Sequence, residues 1–422
     1  MKIFKFGGAS VNSIERIKNI PAILNRYAGE KLLVVISAMG KTTNALEKVA
    51  EHFFKNDQEV ALSLFDDVKQ QYTTIITNLL PENNGLALSD LNNVFTEVEW
   101  LLHDKPVKDY DYYYDQIVCS GELMSTLIVS AYLNSIDKQN CWIDVRDIFR
   151  TDNNFRDASI DWEFTQNKVD ELIKPLLQTQ NIIITQGFIA STDQNESTTL
   201  GREGSDYSAA IFANMLNAEK LTIWKDVKGV MNADPRLFPE AKIIKTLSFD
   251  EVIEMAYYGA QVIHPKTIKP LQNKNIALHV KCFLDPDLPG TIIAGSGESH
   301  LPPVIVVKQQ QVLLMLHSKD FSFVGEQYVS ELYKYFAEVK IKPNLIQTGA
   351  VSILCCVDEN ESKVEKLALK ASGLFDVGVE KGLTLLTVRH YNNSIVDELA
   401  KDKIILLEQK TPETIQLLYK AN

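Results

Sequence analysis

The chain of 422 residues is poor in the side chains that staple small folds or ligate metals, with five cysteines and seven histidines. Cys119, Cys141, Cys282, Cys355 and Cys356 are odd in number and irregular in spacing. They make neither a disulfide framework nor a CxxC knuckle, and read as buried reduced thiols. The histidines, at 52, 103, 264, 279, 300, 317 and 390, show no metal-ligand spacing. Positive charge is also scarce: 43 Lys and Arg face 55 Asp and Glu, a net charge of −12. Such a field repels nucleic acid, while a local basic site for a small phosphate stays open. No apolar run nears the ~20 residues that span a bilayer. The start, Met1-Lys2-Ile3-Phe4-Lys5-Phe6-Gly7-Gly8, reaches glycine too soon for a signal h-region. The expectation is a cytoplasmic protein with no membrane and no nucleic acid partner.

What is present is an ordinary globular composition, 45% hydrophobic and 23% charged. At roughly 150 residues per domain, the length suggests two to three domains. Leu32–Ile36, Asn181–Ile184 and Leu221–Trp224 are continuous apolar runs, as expected of strands buried on both faces of a parallel sheet. Helix-period stretches, such as 205–216 and 249–258, lie between and after them, which predicts an α/β domain with crossover connections. A cluster of small, polar and proline residues over 295–303 marks a linker. Beyond it, strand-like segments at 312–316, 351–357 and 383–388 alternate with helical ones at 324–337 and 363–372. A shorter set follows, helical at 394–399 and strand-like at 404–407 and 414–418. This pattern predicts two small ferredoxin-like modules, the second abbreviated. The segment 304–307 can complete the second sheet, which makes 310–383 an inserted module.

Several loops carry residues suited to phosphate or amino-acid binding. Lys5-Phe6-Gly7-Gly8-Ala9-Ser10 places a glycine pair between a strand and a helix, where backbone N–H groups can approach a phosphate. A tight structural turn explains the same residues equally well, and the spacing is neither a P-loop nor GxGxxG. Ser37-Ala38-Met39-Gly40-Lys41-Thr42-Thr43 follows the second strand, either as a ligand loop or as a cap on the helix near Ala45. Ser120-Gly121-Glu122 reads as a helix opening, with Glu122 complementing the helix dipole or holding an ammonium group. Thr198 to Ser208 brings two glycines, Arg202, Ser205 and Asp206 into one helix start. Arg202 can fork onto a carboxylate, and Asp206 suits an N-cap or first turn. Lys225-Asp226-Val227-Lys228-Gly229-Val230-Met231-Asn232-Ala233-Asp234-Pro235-Arg236 forms a cationic, turn-rich loop that fits a nucleotide or simply solvent. Tyr112-Tyr113-Tyr114 reads as packing, and His264 before Pro265 as a helix boundary.

Taken in order, these segments, with Gly259-Ala260-Gln261-Val262-Ile263-His264-Pro265 and Gly290-Thr291, resemble the monofunctional aspartate kinases. The resemblance runs from residue 1 to about 294. It implies an αβα sandwich of the amino-acid-kinase type over 1–294, a linker over 295–303, and two ACT modules. The first ACT module spans 310–383, and the shortened second one spans 304–309 plus 384–422. On that expectation the chain is too short to add a homoserine dehydrogenase. The implied reaction is transfer of phosphate from ATP, carrying Mg²⁺, to the β-carboxylate of L-aspartate, the first step towards lysine, threonine and methionine. The implied catalytic residues are Lys5 and Asp206. Thr43, Glu122, Arg202, Gly204 and Ser205 would surround aspartate. Lys5, Gly7, Gly8, Ser10, Lys225, Asp226, Met231, Arg236 and Gln261 would face the nucleotide, with no protein metal ligand. Four residues depart from the family pattern: Ala9, Lys225, Met231 and Gln261, where threonine, threonine, tyrosine and lysine are usual.

The chemistry is consistent with that resemblance. A β-carboxylate with a pKa near 3.9 is already ionised at pH 7. No general base is needed, and catalysis reduces to neutralising charge and aligning the groups. Two rival readings keep the fold: another amino-acid carboxylate as acceptor, or a non-catalytic amino-acid sensor. In ACT modules an effector sits near the first helix and the following strand, here 318–324 and 343–351, which singles out Ser318, Phe321, Asn344 and Thr348. Asn344 and Ala350 stand where lysine-sensitive relatives carry acids, so an uncharged effector such as threonine, or weak lysine inhibition, is expected. Pairing of modules between chains would make at least a homodimer.

Overall fold

A computed structural model describes residues 1–82, 84–260, 263–298, 300–320 and 322–421, with residue 421 described by its backbone alone. The chain forms two units. The first comprises Met1–Val230, Ile243–Ile253 and Val262–Glu298, and the second Met231–Lys242, Glu254–Gln261 and Ser299–Asn422. Segments 231–242 and 254–261 thus group with the C-terminal unit.

The first unit contains β1 (Lys2–Phe6), β2 (Leu32–Ile36), β3 (Cys141–Trp142), β4 (Ile182–Gln186), β5 (Ile189–Ser191), β6 (Ser197–Thr199), β7 (Lys220–Lys225), β8 (Thr246–Ser248), β9 (Ala277–Cys282) and β10 (Thr291–Ala294). Eight strands form one sheet in the order β3-β4-β2-β1-β7-β9-β10-β8, while β5 and β6 pair as a separate antiparallel hairpin. Within the large sheet only β9 and β10 run antiparallel. Every residue of β1 and β2 is buried, which explains why β2 is apolar throughout rather than alternating, while β1 carries Lys2 and Lys5 among its apolar residues. The chain adds β2 and β4 on one side of β1, then returns to place β7 on its other side. That reversal opens a crevice beyond the C-terminal ends of β1 and β7.

The 26-residue helix Tyr110–Ser135 corrects one expectation. It is long and apolar enough to pass for a membrane span, with a mean hydropathy of 1.3, yet 83% of that stretch is buried within the protein, as in a core helix. It also runs straight through Ser120-Gly121-Glu122, which is helix interior and not a helix start. Gly121 marks a close approach: a Cβ there would sit 3.1 Å from Leu46 and 3.2 Å from Ala38.

The second unit holds β11 (Val304–Ser318), β12 (Pro343–Thr348), β13 (Ser352–Asp358), β14 (Phe375–Arg389), β15 (Lys403–Lys410) and β16 (Thr414–Ala421). They make one antiparallel sheet in the order β12-β13-β11-β14-β16-β15. β11 and β14 pair along their whole lengths, from Val304 opposite Arg389 to Ser318 opposite Phe375. The ladder is irregular between Lys308 and Gln311, where Gln310 adopts a φ of 54°. The strand-like segments expected at 312–316 and 383–388 are therefore parts of two longer strands. Helices Glu326–Val339 and Glu361–Ala371 pack on one half of the sheet through Leu332, Phe336, Val364 and Leu367. Helix Asn393–Ala400 packs on the other half beside Leu386, Val388 and Ile415.

Candidate active site

A cavity of about 580 Å³ opens within the first unit, in the crevice beyond β1, β2 and β7. It brings together Lys5, Gly7, Gly8, Ser10, Thr43, Glu122, Arg202, Gly204, Ser205, Asp206, Lys225 and Asp226, all singled out from the sequence. The loops after β1 and β2 clasp one another through the Gly40 N–H, which donates to the Gly8 carbonyl at 3.1 Å. A Cβ at Gly8 would lie 2.6 Å from the Ala38 carbonyl oxygen, so only glycine fits there. Ser10 is tied to β7 by its hydroxyl, which donates to the Trp224 carbonyl at 3.2 Å. Gly204, Ser205 and Asp206 form the first turn of helix Gly204–Met215. Glu203 caps that helix in the left-handed conformation, with φ 55°. Its carboxylate accepts the His264 N–H at 3.0 Å, and His264 itself caps helix Pro265–Gln272 as expected.

Two buried carboxyl groups face the cavity in opposite electrostatic states. Burial works to raise the pKa of Asp206, but the ammonium groups of Lys5 and Lys225 prevail and hold it below the usual carboxylate range. Lys5 Nζ lies 2.7 Å from Asp206 Oδ1 and Lys225 Nζ 3.5 Å from Oδ2. Burial dominates at Glu122 and pushes its carboxyl up to about 8, against the opposing Ala38 N–H and Lys5 charge. Its Oε2 is buried without a hydrogen-bond partner. A buried, unpartnered carboxyl oxygen beside a cavity is costly unless a ligand supplies its partner.

Sequence reasoning missed Arg156, Phe188 and Trp224, which also line the cavity. Arg156 stacks 4.2 Å over Tyr114, itself a lining residue, and pairs with Asp111 at 3.2 Å. Its loop is held by Asp115, which accepts the Arg156 N–H at 2.9 Å and the Thr199 N–H and hydroxyl at 2.8 and 2.7 Å. The rest of the tyrosine run packs, with Tyr113 against Phe53 and Tyr112 against Phe155. Met231 and Arg236 are not among the residues that line this cavity. They belong to the second unit, and Arg236 is spent on Asp234 at 2.6 Å. Gln261 lies outside the described residues.

The expected effector residues do not converge. Ser318 donates to Asp320 at 2.8 Å, near the end of β12 that carries the exposed Thr348. Asn344 sits at the opposite end of β12, about 13 Å away at the usual strand rise. Its amide is engaged by Lys308 at 2.7 Å and by Gln311 and Asp358 at 2.8 Å. Phe321 lies outside the described residues.

Residues 1–282 match the family model described as the amino acid kinase family. The chain is 32% identical over 396 residues to the lysine-sensitive aspartokinase 3 of Escherichia coli K12, covering 92% of this chain and 86% of that protein. It is 35% identical over 302 residues to the chloroplastic bifunctional aspartokinase/homoserine dehydrogenase 2 of Arabidopsis thaliana, of which it covers only 32%. Aspartokinase III of E. coli in complex with aspartate and ADP (R-state) superposes with a TM-score of 0.84 at 29% identity, over 100% of this chain and 96% of that one. Its complex with lysine and aspartate (T-state) gives 0.83 at 28% identity, over 99% and 95%. A kinase model over residues 1–282 and an aspartokinase that aligns with 92% of the chain agree with the cavity: the chain belongs to the aspartokinases of the amino acid kinase family.

Proposed function

We infer that this aspartokinase transfers the γ-phosphoryl group of ATP to the β-carboxylate of L-aspartate in the cavity between β1, β2 and β7. The observation that carries the reading is the pairing of opposites there: an orphaned, buried Glu122 oxygen and a cationic cluster around Asp206. In this reading Glu122 holds the aspartate ammonium group and Arg202 its α-carboxylate. Thr43, Gly204 and Ser205 close around the ligand. Gly7 and Gly8 present backbone N–H donors to the phosphates, Ser10 holds their loop against β7, and Lys225 and Asp226 lie at the same end. A carboxylate oxygen bonds to phosphorus as the bond to ADP breaks, and no proton is removed to make the nucleophile. The task left to the protein is to bring two anions together. Lys5 and the N-terminus of helix Gly204–Met215 neutralise the charge, and Asp206 orients Lys5.

Mg²⁺ is taken to travel on the triphosphate and to neutralise phosphate charge there. Asp206 is held by two ammonium groups and Glu122 is largely protonated at neutral pH, so neither is a ready metal ligand. The second unit, with its paired ACT-like modules, is proposed as an amino-acid sensor, in keeping with a relative named lysine-sensitive. An uncharged effector such as threonine, or weak lysine inhibition, remains the proposal, without Asn344 as a ligand. Association of modules from two chains would give a homodimer or larger assembly. The product would feed lysine, threonine and methionine synthesis, and the five free cysteines suit a cytoplasmic location.

Incubating the chain with ATP, aspartate and hydroxylamine should yield aspartyl hydroxamate, with glutamate and acetylglutamate as control acceptors. Hydroxamate from a control acceptor alone, or none at all, would overturn the reading.

A further inference from the structure

Helices Gly204–Met215 and Pro265–Gln272 are laced together along their lengths. At their caps the Glu203 carboxylate accepts the His264 N–H at 3.0 Å. Further on, the Asn214 amide donates to the Pro270 carbonyl at 2.8 Å. Between these helices and the start of helix Trp162–Lys168 lies a second cavity in the first unit, of about 530 Å³. None of its lining residues borders the cavity already described. Its volume is ordinary for a small-molecule site.

Two walls of this cavity are single helix faces. Tyr207 and Asn214 stand two turns apart on the first helix. On the second, Lys269 and Pro270 come three and four residues after Lys266, which puts all three on one side. The third wall holds Ile160 and Trp162, and Trp162 is 41% exposed at the rim. The rings of Trp162, Tyr207 and Pro270 offer flat apolar contact, which suits an aromatic ring. The charge is of one sign: among the described residues, two lysines and no carboxylate line the cavity. Lys266 is already paired with Asp157. Lys269, exposed on its helix, is left to meet an anion. A ligand's ammonium group would find no carboxylate on these walls, which disfavours a free amino acid.

We propose that this cavity binds an aromatic carboxylate without an ammonium group, its ring against Trp162 and Tyr207 and its carboxylate on Lys269, and that occupancy tunes aspartate binding through helix Gly204–Met215. Tyr207 directly follows Asp206 in the first turn of that helix. A ligand packed on Tyr207 therefore bears on the turn that carries Gly204, Ser205 and Asp206. The bond from His264 to Glu203 delivers any shift of the second helix to the same turn. The coupling, though not the binding, rests on the aspartokinase reading above. Coupling of this kind is reciprocal: the factor by which the ligand changes aspartate affinity is the factor by which aspartate changes the ligand's.

The probe is 2-naphthoate, with 2-naphthamide as its neutral counterpart, each titrated calorimetrically into the full-length chain. The acid should bind with a Kd below about 1 mM, and the amide about tenfold more weakly, for want of a charge-assisted contact. Lys269→Gln should weaken binding of the acid about tenfold and leave amide binding and kcat within about twofold of the parent. Trp162→Ala should weaken both probes by about fivefold. If it does not fold, Trp162→Leu takes its place under the same criteria. Saturating 2-naphthoate should shift the Kd for aspartate by about threefold or more, and saturating aspartate should shift the Kd for 2-naphthoate by the same factor. An acid that fails to bind, binds no tighter than the amide, or binds either variant as it binds the parent would overturn the site. An unshifted Kd for aspartate in a chain that forms aspartyl hydroxamate would overturn the coupling. A chain that forms no hydroxamate, yet binds 2-naphthoate through Lys269, sinks the aspartokinase reading and the coupling with it, while the site stands.

Discussion

Lys5 Nζ and Asp206 Oδ1 lie 2.7 Å apart, a buried ion pair that joins a β-strand to the first turn of a helix. Removing one partner of such a pair is ordinarily destabilising, because the other charge is left buried alone. Here Lys225 remains beside Asp206. Lys5→Ala should therefore keep its fold while kcat falls by roughly 100-fold or more, since Lys5 faces charge that grows in the transition state. Turnover and circular dichroism measured on the same sample check both halves. Near-native kcat would remove Lys5 from the mechanism.

Arg202 is exposed and lines the cavity, so its loss should touch binding more than chemistry. Arg202→Ala should raise KM for aspartate by about tenfold or more, with a smaller fall in kcat through misplacement of the ligand. Initial rates with each substrate varied in turn provide the measurement. A change confined to KM for ATP would contradict the proposed α-carboxylate contact.

Glu122 gives two pH signatures of known sign. Its carboxyl is raised by burial to about 8 in the folded chain, from an ordinary value of 4.5. The folded state thus binds this proton more tightly than the unfolded one. The associated stability is complete below the ordinary value and is lost as pH rises through about 8. Glu122→Gln should leave the melting temperature unchanged at about pH 5 and raise it by about 2–4 °C at about pH 8.5. Only the ionised carboxylate pairs with an ammonium group, so the parent's KM for aspartate should fall between about pH 6 and 8, by up to about tenfold per unit. In Glu122→Gln that KM should be high and flat. A flat profile in the parent would show that Glu122 does not meet the ammonium group.

Asn344 bridges Lys308, Gln311 and Asp358. Burial favours the protonated form of Asp358, yet its bonds from Gln311 and Asn344 and the Lys308 charge hold its carboxyl below the usual range. Asn344→Asp replaces a donor with a second carboxylate facing Asp358. It should cost about 1 kcal/mol or more at neutral pH, and less as the solution is acidified. Thermal melts across pH, with activity at sub-saturating aspartate in the presence of lysine or threonine, test this. New lysine sensitivity without loss of stability would return Asn344 to the effector site.

Much of the catalytic unit was legible because physics marks it locally. β2 is apolar throughout, β4 opens on Ile182-Ile183-Ile184 and β7 is mostly apolar from Leu221 to Trp224, since both faces of these strands are largely buried, and that pattern needs no partner to be seen. Gly8 and the Arg202-to-Asp206 turn announce themselves by residue type. Glu122 was recognised but misplaced, because Ser-Gly-Glu looks like a helix start. Its glycine serves close packing against Leu46 and Ala38 instead. Arg156 and Phe188 carry no local signal, as they enter the cavity on loops fixed by distant partners such as Asp115. The polar run Lys308-Gln309-Gln310-Gln311 reads as a break between strands, whereas the chain passes through it as an irregularity in a single ladder. The surroundings of Asn344 were hidden for a similar reason: strand register alone brings Gln311 and Asp358 to it.

That long ladder has a mechanical meaning. β11 and β14 each run through both halves of the six-stranded sheet, and Leu313, Leu345 and Cys356 from one half share an apolar cluster with Leu385, Leu407 and Leu418 from the other. The border between the two modules is therefore hydrogen-bonded strand, with no loop for a protease to nick. Neither half can peel away without tearing its own backbone ladder, so the pair should melt in a single cooperative step. A strain felt at one end of β11 is delivered to the other end through the same covalent chain.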